Sequence, residues 1–191
     1  MKCLVCHRFS LWHICKECQA LYLQPRLFKQ KLPNGIEVFS FYMYEDIKPF
    51  LHTKHTSLGY DVFHILAKSS TNVFAKHFFF ETEVASLGID ENPKNHYSHT
   101  AILNKHLKSK YIKPYYGKLL AKNPVQYSGK SKSFREQNPR DFSFKQFREK
   151  NCIVVDDIIT TGTTLLEATT LLKNNNKEVL FCLTLASVKQ P

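Results

Sequence analysis

Residues 152–168 read CIVVDDIITTGTTLLEA, and this stretch decides how the rest of the chain is interpreted. It opens with an apolar run typical of a buried strand and continues with Asp156 and Asp157. A turn rich in threonine follows, and an apolar helical pattern begins near Thr163. A strand, a turn and a helix in this order are the unit of a parallel sheet. Because ligands of such sheets bind beyond the carboxyl ends of the strands, the turn lies where a ligand is expected.

The residue types in this turn indicate a phosphate beside a sugar. Backbone N–H groups at the start of a helix favour an anion, and small hydroxyl side chains add donors without blocking its approach. The predicted phosphate-binding residues are Thr160, Thr161, Gly162, Thr163 and Thr164. Carboxylates next to a phosphate suit sugar hydroxyls or a bound Mg²⁺, so Asp156 and Asp157 are predicted to face a ribose 5-phosphate moiety. The glycine patterns of P-loops and of dinucleotide sites do not occur in the chain.

Segments around this stretch alternate between strand-like and helix-like patterns. Strands are predicted at IEVFSFYMY (36–44), VASLGID (84–90) and KEVLFCLTLASV (177–188), and helical spacing covers 60–78 and 98–108. Ser98 is suited to cap the second helical segment. The alternation predicts an α/β fold with a mainly parallel sheet flanked by helices. Cys152 and Cys182 lie in apolar strands and are predicted to be buried.

Four cysteines at the amino terminus form a separate motif. Cys3, Cys6, Cys15 and Cys18 follow the pattern C-x2-C-x8-C-x2-C, in which each pair directs two thiolates at one ion. We predict a structural Zn²⁺ site here. Cysteines stand where a signal peptide would place its apolar region, so we do not expect secretion, and disulfides are disfavoured. We predict that the chain divides into two parts. Residues 1–33 form a zinc module of zinc-ribbon or zinc-finger type with a basic linker, and residues 34–191 form an α/β domain.

The positive charge is concentrated in two segments. The chain has a net charge of +11, and residues 1–33 contribute +5 while residues 105–150 contribute +10. Clustered lysine and arginine are the footprint of a polyanion binder, although a solvated basic surface is the alternative. Within the second segment, Lys130, Lys132 and Arg135 lie in a stretch with glycine and serine that is suited to close over the site as a lid or to contact DNA. The apolar runs are too short to span a membrane.

The stretch IVVDDIITTGTTL resembles the signature of type I phosphoribosyltransferases, which bind phosphoribosyl pyrophosphate (PRPP) with Mg²⁺. The resemblance implies that fold. It also implies that Asp156 and Asp157 meet the ribose 2- and 3-hydroxyls while the 160–164 loop wraps the 5-phosphate. A four-cysteine module ahead of this domain is typical of ComF-type late competence proteins. The shorter stretches KHTSLGYD (54–61), HYSHTAILNKHL (96–107) and GKSKSFREQNPRDFSF (129–144) are similar to further segments of that family.

Two functions remain open at this stage. The ComF resemblance implies a cytoplasmic protein that handles single-stranded DNA during natural transformation, with the DNA-translocation machinery as a candidate partner and the inner face of the cytoplasmic membrane as a candidate peripheral location. Aromatic residues interleave with the basic ones, as expected of a single-strand binder: Phe9, Trp12 and Tyr22 in the first segment, and Tyr111, Tyr115, Tyr116, Tyr127 and Phe134 in the second. The other function is an active phosphoribosyltransferase of nucleotide salvage or synthesis. The sequence leaves open whether PRPP is consumed.

Overall fold

The computed structural model describes residues 1–89, 97–123 and 132–188. Its strands are β1 (Phe28–Lys31), β2 (Glu37–Met43), β3 (Val84–Gly88), β4 (Ile112–Tyr115), β5 (Leu119–Ala121), β6 (Phe142–Phe144), β7 (Asn151–Ile159) and β8 (Glu178–Ser187). Its helices are α1 (Lys16–Tyr22), α2 (Tyr44–Leu51), α3 (Ser57–Ser69), α4 (Thr71–His77), α5 (His99–Lys105), α6 (Lys132–Gln137) and α7 (Thr163–Asn174). A single 3₁₀ turn, His52–His55, follows α2.

Six of these strands form one sheet in the order β1-β2-β8-β7-β3-β4. All neighbours are parallel except β1 and β2, which form an antiparallel hairpin at one edge. Strands β5 and β6 pair separately as a small antiparallel ribbon. The predicted α/β fold with a mainly parallel sheet flanked by helices is therefore confirmed.

The position of β7 inside the sheet explains why its sequence is almost continuously apolar. It is hydrogen-bonded to β8 on one side and to β3 on the other, and helices cover both of its faces. Successive side chains of a strand point to opposite faces. Ile153 and Val155 accordingly pack in the core with α2, α3 and α5, whereas Cys152 and Val154 pack in the core with α7. The predicted burial of Cys152 is confirmed, and Cys182 is buried too.

Two local features differ from the sequence predictions. Strand β1 lies inside the segment predicted as a linker, and it joins the main sheet through a turn in which Gly35 adopts a φ of 88°. The single helical segment predicted over 60–78 is two helices, because the backbone breaks at Ser70 (φ −117°, ψ −85°). The division of the chain at residues 33 and 34 remains a prediction.

The cysteine-rich amino terminus packs against the outer side of α3. His13 contacts the carboxylate of Asp61 at 3.1 Å, and the ammonium group of Lys68 lies 6.0 Å from the centre of the Trp12 ring. The module has its own short bridge between Lys2 and Phe9 and its own helix, α1. None of the helices in the described ranges is both long and apolar enough to cross a lipid bilayer.

Candidate phosphoribosyl site and cysteine cluster

The turn after β7 begins α7 through a glycine in the left-handed region. Gly162 has a φ of 79° and occupies the N-cap position of the helix. A Cβ atom on this residue would lie 2.8 Å from Cδ2 of Leu32, which reaches over from the β1–β2 hairpin. Glycine is therefore required here both by the backbone conformation and by the close approach of Leu32.

Hydroxyl groups and backbone amides surround the start of α7. The helix is 12 residues long, and its first-turn N–H groups carry the partial positive charge of a helix amino terminus. The hydroxyl oxygens of Thr161 and Thr163 lie 2.9 Å apart. A small pocket is lined by Asp156 and by every residue from 158 to 165, which places all five predicted phosphate-binding residues around one space. Such donors at the start of a helix favour an anion.

The structure separates the two aspartates at the end of β7. Asp156 is half-buried and lines the pocket of the threonine turn, and one of its carboxylate oxygens accepts a hydrogen bond from the backbone N–H of Asp157 at 2.8 Å. The side chain of Asp157 is only 10% exposed and contacts Lys54 Nζ at 2.9 Å and His99 Nε2 at 3.3 Å. The sequence predicted a common sugar-facing role for both, but only Asp156 lines the threonine pocket.

The ionised form of Asp157 is stabilised by Lys54 and His99. Burial alone would raise the pKa of this carboxyl group, but Lys54 and His99 outweigh burial and hold the pKa well below its ordinary value of 3.8. Asp157 is therefore ionised at neutral pH although it is buried.

The four amino-terminal cysteines converge as their spacing predicted. Their sulfur atoms all lie within 4.8 Å of one another. Cys3 and Cys18 are buried while Cys6 and Cys15 are half-buried, and the backbone N–H of Cys15 donates to the sulfur of Cys3 at 3.3 Å. Four converging sulfur ligands with N–H···S support fit a tetrahedral metal ion that prefers thiolate ligands.

Comparisons with family models and with solved structures both gave matches. Residues 113–191 match the family model described as the phosphoribosyl transferase domain. This part of the chain is similar to a phosphoribosyltransferase domain, and it makes up less than half of the sequence. Among solved structures, a hypoxanthine phosphoribosyltransferase from Staphylococcus aureus matches with 16% identity and a TM-score of 0.41, over 65% of this chain and 62% of that one. A search of curated proteins gave no match. The matched residues contain β7 and the threonine turn, whereas the cysteine cluster lies outside them.

Lys54 and His99 were not predicted as functional residues. Both lie in stretches that resemble family segments, but no local pattern shows that they meet Asp157. Lys54 is separated from Asp157 by 103 positions in the sequence. Their proximity arises because the 3₁₀ turn and the start of α5 both pack over the end of β7.

The predicted basic residues are only partly described. Lys130 lies outside the described residues, and for Lys132 and Arg135 the structure describes only the backbone, which belongs to α6 beside α7. Of the predicted aromatic residues, Phe9, Trp12, Tyr22 and Tyr116 are exposed. Tyr111, Tyr115 and Phe134 are half-buried, and Tyr127 lies outside the described residues.

Proposed function

We propose that the phosphoribosyltransferase domain binds PRPP, with Mg²⁺, at the carboxyl end of β7. The observation that carries this proposal is the pocket in which Asp156 and the 160–164 turn surround one space at the start of α7. Thr160, Thr161, Gly162, Thr163 and Thr164 hold the 5-phosphate through hydroxyl and backbone donors. Asp156 faces the ribose hydroxyls. Bound Mg²⁺ offsets the charge of the pyrophosphate group.

Calorimetric titration with PRPP tests this assignment. We expect Mg²⁺-dependent binding to the wild type and a loss of affinity on the order of 10- to 100-fold in Asp156→Asn, because a hydrogen bond to a charged group is removed. Asp46→Asn is the matched control, since Asp46 is an exposed aspartate in the first turn of α2. Equal affinity of Asp156→Asn and the control would contradict the assignment.

We further propose that the cysteine cluster holds a structural Zn²⁺. The four thiolates complete a tetrahedral ligand set without an open position, which is the pattern of structural rather than catalytic zinc. Elemental analysis of protein purified without added metal should give one zinc per chain. Cys18→Ser should lose that zinc, whereas Cys182→Ser, which changes a buried cysteine outside the cluster, should retain it.

For the whole chain we propose the handling of single-stranded DNA during natural transformation, as the resemblance to late competence proteins implies. Support comes from the amino-terminal module, where the loop between the cysteine pairs exposes 82% of Phe9 and 50% of Trp12 in a segment of net charge +5. Exposed rings beside cations stack on bases and neutralise phosphates without reading sequence. A DNA-translocation partner and a location at the inner face of the cytoplasmic membrane belong to the same proposal.

Trp12 is the only tryptophan of the chain and therefore reports directly on this surface. Titration with oligo-dT should quench its fluorescence, and the affinity should fall steeply as salt rises because counterions are released on binding. Phe9→Ala should weaken binding, whereas Phe79→Ala, which removes a ring that is 69% exposed elsewhere, should not. An affinity that is independent of salt would contradict DNA binding by this surface.

Turnover of PRPP is the second candidate function. The complete threonine turn and the half-buried Asp156 favour it, because both groups also serve a transfer reaction. The test is release of pyrophosphate in the presence of Mg²⁺ and a panel of nucleobases. Release that depends on one base would establish transfer, and the absence of release with PRPP bound would leave a binding site without turnover.

A further inference from the structure

We propose that Tyr97 is a positioning residue of the phosphoribosyl site, and that its hydroxyl holds the 3₁₀ turn and the start of α5 together at the end of β7. This inference rests on the proposed PRPP site, which it extends by a residue outside the threonine turn. Tyr97 acts through Lys54 rather than on the ligand itself. The side chain of Lys54 reaches Asp157 near the carboxyl end of β7.

The hydroxyl of Tyr97 reaches the backbone at the end of the 3₁₀ turn. It donates a hydrogen bond to the backbone oxygen of Lys54 at 2.7 Å and lies 3.3 Å from the backbone oxygen of Thr56. Carbonyl groups at the end of a helical turn have no partner within that turn, so a donor from outside satisfies them. Tyr97 is half-buried, and burial raises the pKa of its hydroxyl, so this group remains a donor at neutral pH.

The first turn of α3 leaves room for this contact because it contains a glycine. A Cβ on Gly59 would lie 2.3 Å from the hydroxyl oxygen of Tyr97 and 2.1 Å from the backbone oxygen of Thr53. Gly59 does not have a positive φ, and glycine inside a helix is less favourable than alanine. The backbone conformation therefore does not require glycine at this position, but the close approach of Tyr97 and Thr53 does.

The contact with Tyr97 holds Lys54 at its backbone while Asp157 holds its side chain. The backbone oxygen of Lys54 accepts from Tyr97, and its ammonium group lies 2.9 Å from a carboxylate oxygen of Asp157. His99, two residues after Tyr97, contacts the same carboxylate oxygen at 3.3 Å. One hydroxyl therefore fixes the spacing between the two segments whose basic side chains meet Asp157.

The chain on either side of Tyr97 is fixed to its surroundings. The rings of Tyr60 and Tyr97 pack edge to face, with their centres 5.7 Å apart. The buried hydroxyl of Thr100 donates to the backbone oxygen of Ile89 at 2.9 Å, and the backbone N–H of Ile89 donates to the backbone oxygen of Val155 in β7 at 2.9 Å. The start of α5 is thus set by β7, and Tyr97 passes this position on to the 3₁₀ turn.

The threonine turn is built by other contacts, which predicts a difference between two ligands. It is formed by the start of α7 and by the approach of Leu32 to Gly162. Loss of the Tyr97 hydroxyl should therefore leave the binding of inorganic phosphate at the turn unchanged. PRPP also carries a ribose and a pyrophosphate, which lie at the end of β7 in the proposed site. Its affinity should fall on the order of three- to tenfold, the factor that corresponds to one neutral hydrogen bond.

The experiment compares the wild type with Tyr97→Phe and Tyr60→Phe, in the presence of Mg²⁺ and at a temperature where all three are folded. Calorimetry gives the affinity for PRPP, and NMR titration gives the affinity for inorganic phosphate. Tyr60→Phe is the matched control, because it removes the same atom from the neighbouring ring, which is exposed. We expect weaker PRPP binding in Tyr97→Phe only, and unchanged phosphate binding in both variants.

Hydrogen exchange tests the contact without any ligand. The backbone N–H of Gly59 donates to the backbone oxygen of Thr56 at 3.0 Å, next to the hydroxyl of Tyr97. Its exchange in the folded protein should be faster in Tyr97→Phe than in the wild type, because the end of the 3₁₀ turn opens more often. Tyr60→Phe should exchange like the wild type, and equal exchange in Tyr97→Phe and the wild type would contradict the contact.

A double-variant cycle decides whether Tyr97 acts through Lys54. Lys54→Met should weaken PRPP binding by itself, and adding Tyr97→Phe to it should cost less than Tyr97→Phe costs in the wild type. The inference is overturned if the two losses simply add, or if phosphate binding falls by the same factor as PRPP binding. If PRPP binds equally to Tyr97→Phe and Tyr60→Phe, this inference fails while the proposed function stands. If the wild type binds no PRPP, the proposed function fails and the positioning role fails with it.

Discussion

Replacement of Gly162 by alanine tests the construction of the threonine turn directly. Two costs are expected. An alanine at a φ of 79° is strained by about 1–2 kcal/mol, and its methyl group would lie 2.8 Å from Cδ2 of Leu32. Leu32 is only 5% exposed, so it cannot simply rotate into solvent, and the overpacking adds about 1–3 kcal/mol. The total loss of unfolding free energy should be about 2–4 kcal/mol, slightly reduced because alanine restricts the unfolded chain.

Gly117 provides the matched control for this prediction. It also has a positive φ, 61°, but a Cβ placed on it meets no atom within 4 Å. Gly117→Ala should therefore show the backbone strain alone, and urea unfolding of both variants isolates the contact with Leu32. Gly162→Ala should in addition weaken PRPP binding, because the amides at the start of α7 move. Equal losses of stability in the two variants would refute the role assigned to Leu32.

Three further predictions concern stability. The pKa of Asp157 is lowered in the folded protein, so its carboxylate stabilises the fold fully at any pH above its ordinary pKa of 3.8. That stabilisation is lost as the pH falls through the folded-state pKa. Wild type and Asp157→Asn should therefore differ in urea unfolding at pH 7 and converge only in strong acid. Burial and neighbouring positive charges lower the pKa of His106, which contacts His64 at 2.9 Å, to about 4. Unfolding free energy should consequently fall between pH 6.5 and 4, and His106→Gln should flatten that slope. Ser98 caps α5 by accepting a hydrogen bond from the backbone N–H of Ala101, so Ser98→Ala should lower the unfolding free energy by about 1 kcal/mol, whereas an unchanged urea midpoint would argue against the cap.

The sequence alone predicted the features that depend on local order. The spacing of Cys3, Cys6, Cys15 and Cys18 predicted their convergence, because each pair needs only a tight turn. The apolar run and the threonine turn predicted β7 and the start of α7 at Thr163, and a small pocket lies between them. Ser98 was identified as a cap for the same reason, since a cap acts within three residues.

Only the tertiary structure determined the features that depend on distant segments. The sequence predicted a linker where β1 lies, because a strand of only four residues gives a weak sequence pattern. These residues form a strand because they pair with β2. The sequence predicted the same role for Asp156 and Asp157. In the folded protein, Asp156 lines the threonine pocket, whereas Asp157 contacts Lys54 and His99. Local patterns record the backbone period and the chemistry of adjacent residues. The partner of a buried charge is set by how elements 103 positions apart pack over one strand end, and no short stretch of sequence contains that information.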